Sequence, residues 1–262
     1  MTGVAQQTLL IISNPSSAML ELSGVLAMDP ALAALVLRFA NSAYFGLGHP
    51  VSTVQLAVAY LGMDTVRSLV LAASMAAVLN RPVPGYGLGR GELWKHSIGV
   101  AAGARLVTMR FGHKVSEEAY HAGLLADIGK LALDTLLRDE SGPGLLDNSV
   151  PFHELEDLLF GVDHATLGAE MARRWNLPAP LVDAIRNHHR PAQAREGALL
   201  AAAVHVADSA MMTLGIGLGY DGLRYGVVPS AWHLVAWHER SYAEVVQQVV
   251  PFVRESEAFL RT

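Results

Sequence analysis

Apolar side chains recur along most of the chain at the three- and four-residue spacing of an amphipathic helix, whereas the two-residue alternation of a strand is missing. Alanine and leucine dominate the composition, which also favours helix. The predicted helices are Ser16–Ala27, Pro30–Ala40, Val54–Leu61, Asp64–Leu79, Glu92–Arg110, Ser116–Asp127, Leu131–Arg138, Phe152–Phe160, His164–Trp175, Pro180–His188, Gly197–Leu214, Ala231–His238 and Tyr242–Phe259. We therefore expect an all-α fold.

Glycine, proline and capping residues predict where these helices begin and end. Pro30 suits the first turn of its helix, Asp64 is a candidate N-cap, and Pro251 is expected to bend the last helix. The segment Asn80–Gly91 contains two prolines and four glycines and is predicted to be a linker. This linker divides the chain into an N-terminal helical subdomain, residues 1–80, and a helical bundle, residues 90–215. Two C-terminal helices follow at residues 230–262.

The composition excludes several kinds of functional site but says less about the fold. The 262 residues are 52% apolar and carry a net charge of −5, which provides ample material for a core and argues against nucleic-acid binding through bulk charge. Cysteine is absent, so disulfides, thiolate metal sites and cysteine nucleophiles are excluded. Any metal must be held by histidine and carboxylate side chains. No signal-peptide pattern or membrane-length apolar stretch is present, so we expect a cytoplasmic protein that does not bind membranes.

Asp208 is the strongest candidate site residue on chemical grounds alone. It lies in the segment ALLAAAVHVADSAMM, where only His205, Asp208 and Ser209 are polar. A helix that is apolar nearly all round is buried, and a carboxylate there needs a partner, a metal or a shifted pKa. The pattern is equally compatible with a functional site and with a structural hydrogen bond to a neighbouring arginine or backbone group.

Asp127 and Lys130 admit two interpretations. With Asp134 and Arg138 they are spaced three, four and four residues apart, as in a solvated stripe of ion pairs on a helix. Gly129, however, argues against one unbroken helix and suits a turn that presents the Asp127 carboxylate. Exposed charge is the more common case, so the spacing by itself favours the stripe.

The histidines are weak evidence when they are taken singly. His96 lies in an apolar helix and is explained equally well as a core residue. His164 begins a predicted helix, and His188-His189 ends one, where the helix dipole favours histidine.

The order of these residues is more informative than any one of them. His96, Ala126-Asp127, His164, His188-His189 and Asp208 follow, in this order, the positions of the HD-superfamily metal-binding pattern. Ala126 stands where the HD doublet has its histidine. The run Asp127-Ile128-Gly129-Lys130 looks like a segment of HD-GYP cyclic dinucleotide phosphodiesterases, although the GYP signature is missing.

The N-terminal half is similar to a more specific family. Met28–Ser74 resembles the N-terminal region of HDOD domains, and so do the segments LWKHSIGVA, AGLLADIGKL, GVDHATLGAEMARRWNLP and LVDAIRNHH. The resemblance covers roughly residues 8–215. It implies an N-terminal helical subdomain packed on an HD-like helical bundle, and a part in bacterial signalling or regulation.

The resemblance also implies a set of metal ligands. His96, Asp127 and Asp208 would hold the primary metal, while His164 and His188, with His189, would hold a second metal bridged by Asp127. Lys130 would lie near a bound phosphate, at the mouth of the site, and would assist catalysis if the protein is active.

Alanine at position 126 offers no ligand atom to the primary metal. His121 lies five residues earlier, about 140° round a helix, and is a poor substitute. We therefore expect at most a partially occupied divalent metal, Fe, Mn, Zn or Mg.

These observations favour a regulatory module of HDOD type without catalysis, with a degenerate HD metal site, that binds a signalling protein or a small ligand. Two alternatives stay open. In the first, the chain is a metal-dependent phosphohydrolase, acting on a nucleotide or cyclic nucleotide, that tolerates Ala126. In the second, the polar cluster only stabilises the fold.

Overall fold

The structure is a computed structural model that describes residues 29–139, 150–222, 226–236 and 242–259, together with Leu22 and Leu26. Twelve α-helices lie in these ranges: α1 Pro30–Ala40, α2 Val54–Leu61, α3 Met63–Leu79, α4 Glu92–Thr108, α5 His113–Leu125, α6 Lys130–Asp139, α7 Phe152–Phe160, α8 His164–Arg174, α9 Ala179–Asn187, α10 Ala198–Thr213, α11 Pro229–Val235 and α12 Tyr242–Phe259. No strand forms within them, and the all-α prediction is confirmed. The predicted helix Ser16–Ala27 lies outside the described residues except for Leu22 and Leu26, which are helical and buried.

Helix α4 is the central element of the bundle. It is buried nearly all round and packs against α5, α10 and α12. The N-terminal helices α1 and α2 pack on α3, which in turn contacts α4 and α5. One continuous apolar cluster joins these layers. None of the described helices is both long enough and apolar enough to cross a membrane.

Local sequence signals explain most helix starts. Asp29 caps α1, where its carboxylate accepts a hydrogen bond from the Leu32 amide at 3.0 Å, and Pro30 occupies the first turn as predicted. The prediction that Asp64 caps α3 is wrong. Gly62, with φ +83°, reverses the chain directly after α2, so α3 begins one residue earlier and Asp64 lies inside its first turn.

The segment Asn80–Gly91, predicted as a linker, is packed into the molecule. A short bridge pairs Val83 with Leu88, and the side chain of Tyr86 between them is fully buried. The Tyr86 carbonyl accepts a hydrogen bond from the Tyr220 amide at 2.8 Å. The segment therefore joins α3 to α4 and also contributes an aromatic side chain to the interior.

Two close backbone contacts hold the turn after α5 in place. The chain leaves α5 at Leu125 and makes a turn over residues 126–129 before α6 begins. A Cβ atom at Gly123 would lie 2.9 Å from the Ala101 Cα of α4, and one at Gly129 would lie 2.0 Å from the His164 carbonyl oxygen of α8. Glycine at these positions allows the turn to approach α4 and α8 directly.

We expect Gly129→Ala to lower the free energy of unfolding by about 1–3 kcal/mol or more, because the new methyl group meets backbone atoms that cannot rotate away. The matched control is Gly48→Ala, where a Cβ meets nothing within 4 Å. That change should be neutral or stabilising by up to about 1 kcal/mol. Urea denaturation of both variants measures the difference, and equal stabilities would contradict the tight turn.

Candidate metal centre

The carboxylate of Asp127 lies at the centre of a cluster of buried polar side chains. Its Oδ2 atom is 3.0 Å from the Lys130 ammonium and 3.3 Å from His96 Nε2. Its Oδ1 atom is 3.3 Å from His164 Nε2 and 3.9 Å from His188 Nε2. Asp127 itself is only 4% exposed. The turn after α5 therefore delivers one carboxylate to groups from α4, α6, α8 and the residues after α9.

Asp208 enters the cluster from α10. Its Oδ1 atom is 2.9 Å from His96 Nε2, and both side chains are buried. The burial predicted from the apolar pattern around Asp208 is thus confirmed. Ligand atoms of His96, Asp127 and Asp208 lie within 4.8 Å of one another, so this buried group could hold a metal ion.

A second group of possible ligands shares Asp127 with the first. It consists of Asp127, His164, His188 and His189, whose ligand atoms also lie within 4.8 Å of one another. His164 begins α8, and the two adjacent histidines follow α9 directly. The Nε2 atoms of His189 and His164 are 2.9 Å apart. The structure therefore brings all six sequence-predicted metal ligands together around one carboxylate.

Contacts behind the rings fix the orientation of three imidazoles. His96 Nδ1 is 3.0 Å from the Ile216 carbonyl oxygen, and His188 Nδ1 is 2.8 Å from the Ile185 carbonyl oxygen. A carbonyl oxygen only accepts, so both Nδ1 atoms donate. His164 Nδ1 contacts Glu156 Oε2 at 2.7 Å. Each Nε2 atom is therefore turned toward Asp127. Histidines that bind metals are oriented in the same way, by a hydrogen bond from the other ring nitrogen.

His188 provides a test of whether the residues fit a metal. Its Nε2 atom is buried and makes no hydrogen bond among the described residues, while its Nδ1 atom carries the proton. Burial, the largest influence, lowers the pKa of His188 and keeps the ring neutral. A buried lone pair aimed at a carboxylate 3.9 Å away is the arrangement that a metal ion would complete. The donor set fits such an ion.

The other charges in the cluster compensate one another. Burial alone would raise the pKa of Asp127, but the Lys130 ammonium and the hydrogen bond with His164 hold that pKa well below its ordinary value. Burial opposes protonation of His164, yet Glu156 and Asp127 together raise the pKa of His164 to about 10. Asp127 is therefore anionic, and the neighbouring cations Lys130 and His164 stabilise its negative charge in the apolar interior.

Lys130 is a buried member of the cluster. Its expected position at the mouth of the site is wrong, because the side chain is buried and its ammonium lies 2.6 Å from Asp221 Oδ2 as well as 3.0 Å from Asp127. The surface-stripe interpretation of this segment also fails at Asp134, which is buried and accepts a hydrogen bond from the Gly85 amide at 2.7 Å. Packing of α6 against the segment around Tyr86 removes these residues from solvent.

Three residues of the cluster were missed by sequence reasoning. Asp221 lies in a glycine-rich loop without periodicity, and Tyr86 lies in the predicted linker. Glu156 is fully buried, and it accepts hydrogen bonds from the Tyr86 hydroxyl at 2.7 Å and the His164 amide at 2.7 Å. A usable signal existed for Glu156 alone, because it lies four residues after the buried Phe152 on the same face of α7.

Ala126, which stands where the HD pattern has a histidine ligand, and His121, the nearest preceding histidine, are also buried. Ala126 is 3% exposed and contributes only a methyl group. His121 cannot replace the histidine that is missing there, because its Nε2 atom is engaged 2.8 Å from Ser68 Oγ on α3. The structure thus supports the expectation that His121 is a poor substitute.

A sequence model of the HDOD domain matches residues 1–191 of the chain. A curated uncharacterized protein from Treponema pallidum (strain Nichols) is 26% identical over 194 residues, which make up 71% of this chain. The chain spans only 36% of the length of that relative.

Solved structures with the same arrangement of helices are also known. An HDOD domain protein of unknown function from Geobacter sulfurreducens is 25% identical, with a TM-score of 0.77 over 98% of this chain and 91% of that one. A candidate phosphohydrolase from Shewanella amazonensis SB2B is 24% identical, with a TM-score of 0.73 over 97% and 93% of the chains. A candidate signal transduction protein from Marinobacter aquaeolei VT8 is 22% identical, with a TM-score of 0.75 over 98% and 58%. At these identities the last two similarities establish a shared fold and nothing about activity.

We expect Lys130→Met, measured with chelator present, to lower the free energy of unfolding by about 3–5 kcal/mol, because it leaves the buried carboxylates of Asp127 and Asp221 without their cation. The matched control is Lys114→Met, whose parent side chain is 80% exposed. It should change stability by no more than about 0.5 kcal/mol. If denaturant melts find Lys130→Met as stable as the parent, the buried ion pairs do not hold the cluster together.

Proposed function

The chain belongs to the HDOD domain family, and on that premise we propose that it is a non-catalytic signal-transduction module that acts by binding a signalling protein or a small ligand. Its cluster of buried histidines and carboxylates is then a degenerate HD-superfamily metal centre. The name of the Marinobacter aquaeolei protein with the same fold agrees with a signalling role. This chain covers 58% of that longer protein.

The observation that carries the proposal is alanine at position 126. The neighbouring Asp127 reaches both groups of ligands, but the position beside it supplies no lone pair, and His121 is turned away toward Ser68. The primary group is left with His96, Asp127 and Asp208. Compared with the HD-superfamily pattern this group has lost one ligand, and loss of one ligand weakens metal binding and disturbs the geometry of the others.

The second group keeps a full set of ligands. Asp127, His164, His188 and His189 offer three imidazole nitrogens and one carboxylate oxygen. Such a set suits zinc or iron better than magnesium, which prefers oxygen ligands. A divalent ion bound there would act as a Lewis acid toward a water or phosphate oxygen. We propose that this group holds any metal that the protein retains.

Lys130 supports a structural rather than a catalytic use of the cluster. Its ammonium is already shared between Asp127 and Asp221 and is buried. A lysine that stabilises a substrate phosphate must be able to reach that phosphate, whereas this one neutralises two carboxylates of the protein. In the proposed module the ammonium provides part of the positive charge that Asp127 requires.

The alternative function is that of a metal-dependent phosphohydrolase that works with an incomplete primary set. The intact second group favours it, and so does the name of the Shewanella amazonensis protein of the same fold. Metal content and hydrolysis separate the two functions.

We expect elemental analysis to find less than one transition metal per chain after dialysis against chelator. Asp127→Asn and His188→Ala should each remove the retained metal, because both belong to the second group. The matched control is His113→Ala, which changes a histidine whose side chain is 55% exposed and should leave the metal content unaltered. Two equivalents that survive chelator would contradict a degenerate centre.

We expect no hydrolysis of cyclic dinucleotides, nucleotides or bis(p-nitrophenyl) phosphate in the presence of manganese, magnesium or iron, because the primary group lacks its fourth ligand. Ala126→His should raise the metal content by up to one equivalent if the missing ligand is the defect. If the parent protein hydrolyses one of these substrates and Asp127→Asn abolishes that hydrolysis, the protein is a phosphohydrolase and the proposal is wrong.

A further inference from the structure

A second polar region lies on the other side of α5, apart from the metal centre. A cavity of about 250 Å³ opens between α3, α5 and the start of α9. Its walls carry charged side chains from α3 and α5, the imidazole of His121, and the apolar side chains of Pro178 and Leu181. None of the side chains that surround Asp127 lines it. The cavity is therefore a site separate from the metal centre.

A fully bonded carboxylate supports the floor of the cavity. Glu117 is 3% exposed, and its Oε1 atom lies 2.5 Å from Arg105 Nη2. Its Oε2 atom accepts a hydrogen bond from Ser68 Oγ at 2.5 Å. The charge of Glu117 is thus neutralised from within the protein, and its carboxylate oxygens are already engaged by Arg105 and Ser68.

His121 presents an acceptor to the cavity. Ser68 gives its single hydroxyl proton to Glu117, so at 2.8 Å it accepts from His121 Nε2–H, and His121 Nδ1 keeps its lone pair. Burial, followed by the charges of Arg105 and Arg67, lowers the pKa of His121 to about 3, which keeps the ring neutral. A ligand in the cavity therefore meets a neutral hydrogen-bond acceptor at this point.

The remaining charged groups on the wall are balanced in sign. Arg67 pairs with Asp64 at 3.1 Å, and Lys114 approaches Glu118 at 3.9 Å. The Arg67 side chain is 10% exposed, whereas that of Asp64 is 47% exposed and lies at the solvent side of the pair. A purely anionic or purely cationic ligand would meet a repelling group as well as an attracting one. A ligand that carries both charges matches the wall.

The size of the cavity suits a small metabolite. A dry protein cavity of about 150 Å³ accommodates benzene. By that measure the present cavity of about 250 Å³ accepts a molecule of about ten non-hydrogen atoms. The apolar wall of Pro178 and Leu181 requires that part of this molecule be hydrocarbon.

We propose that this cavity binds a small zwitterion with an apolar side chain, of the size of a free aliphatic or aromatic amino acid. The acidic group of the ligand pairs with the Arg67 guanidinium. The ammonium group donates to His121 Nδ1 and is balanced by Asp64 and Glu118. The side chain packs against Leu181 and Pro178.

The position of the cavity suits a ligand that controls the module. Helix α5, which lines it, leads directly into the turn that carries Asp127, and α9 leads into His188 and His189. This part of the inference rests on the proposed regulatory function. The binding site does not, because it depends only on the cavity, and its failure would leave the metal and hydrolysis measurements unchanged.

The test is calorimetric titration of the full chain with leucine, methionine and phenylalanine. We expect at least one to bind with a Kd between about 1 μM and 1 mM. Its analogues that lack either the amine or the carboxylate (4-methylpentanoate and 3-methylbutylamine for leucine) should bind at least about tenfold more weakly, since each leaves one wall charge unmatched. No binding by any of the three amino acids would overturn the proposal. Equal binding of the carboxylate analogue would also overturn it, in favour of a simple anion site.

Variants locate the binding. Arg67→Met should weaken it at least about tenfold by removing the partner of the acidic group. The matched control Arg90→Met, at an exposed arginine that does not line the cavity, should bind as the parent does. Glu118→Gln, at a partly exposed position, tests the ammonium end and serves if Arg67→Met fails to fold. Undiminished binding in a folded Arg67→Met or Glu118→Gln protein would place the ligand elsewhere.

Discussion

The carboxylate of Asp127 is an ionised group in an apolar helical bundle, and the surrounding structure compensates its charge. Burial of an uncompensated ion costs on the order of several kcal/mol. Three groups meet this demand at 3.0–3.3 Å: the Lys130 ammonium and the Nε2 atoms of His96 and His164. They come from separate helices, so the position of this one carboxylate constrains how α4, α6 and α8 pack.

Close helix packing and outer contacts together make that compensation possible. Glycine at positions 123 and 129 lets the turn approach α4 and α8 within distances that a methyl group would prevent. Behind the histidines, Glu156 and the carbonyl groups of Ile185 and Ile216 fix the direction of each ring. The cluster is thus preorganised by groups that would never touch a ligand, which explains how a centre with alanine at position 126 keeps an ordered arrangement.

Helix α5 separates two polar regions of different character. The turn at its C-terminal end belongs to the cluster around Asp127, where histidines and carboxylates face one another. Its middle carries Glu117 and His121, whose hydrogen bonds run to α3. A shared helix gives the two regions a physical connection, because α5 both lines the cavity and leads into the turn that presents Asp127.

The sequence by itself determined the fold class, the position of each described helix to within about three residues and the burial of Asp208, because these depend on local periodicity. It also supplied the six histidines and aspartates of the cluster, because their order along the chain resembles the HD-superfamily metal-binding pattern. It could not decide whether Asp127 and Lys130 form an exposed stripe, since a spacing of three and four residues serves an exposed and a buried face equally well. Lys130 is buried together with its partner Asp221, whose carboxylate neutralises the ammonium. Asp221 lies 91 residues later, in a glycine-rich loop without periodicity, so local sequence does not reveal the pair. Only tertiary packing brings such partners together, and the burial of a charge depends on those partners and not on its neighbours in sequence.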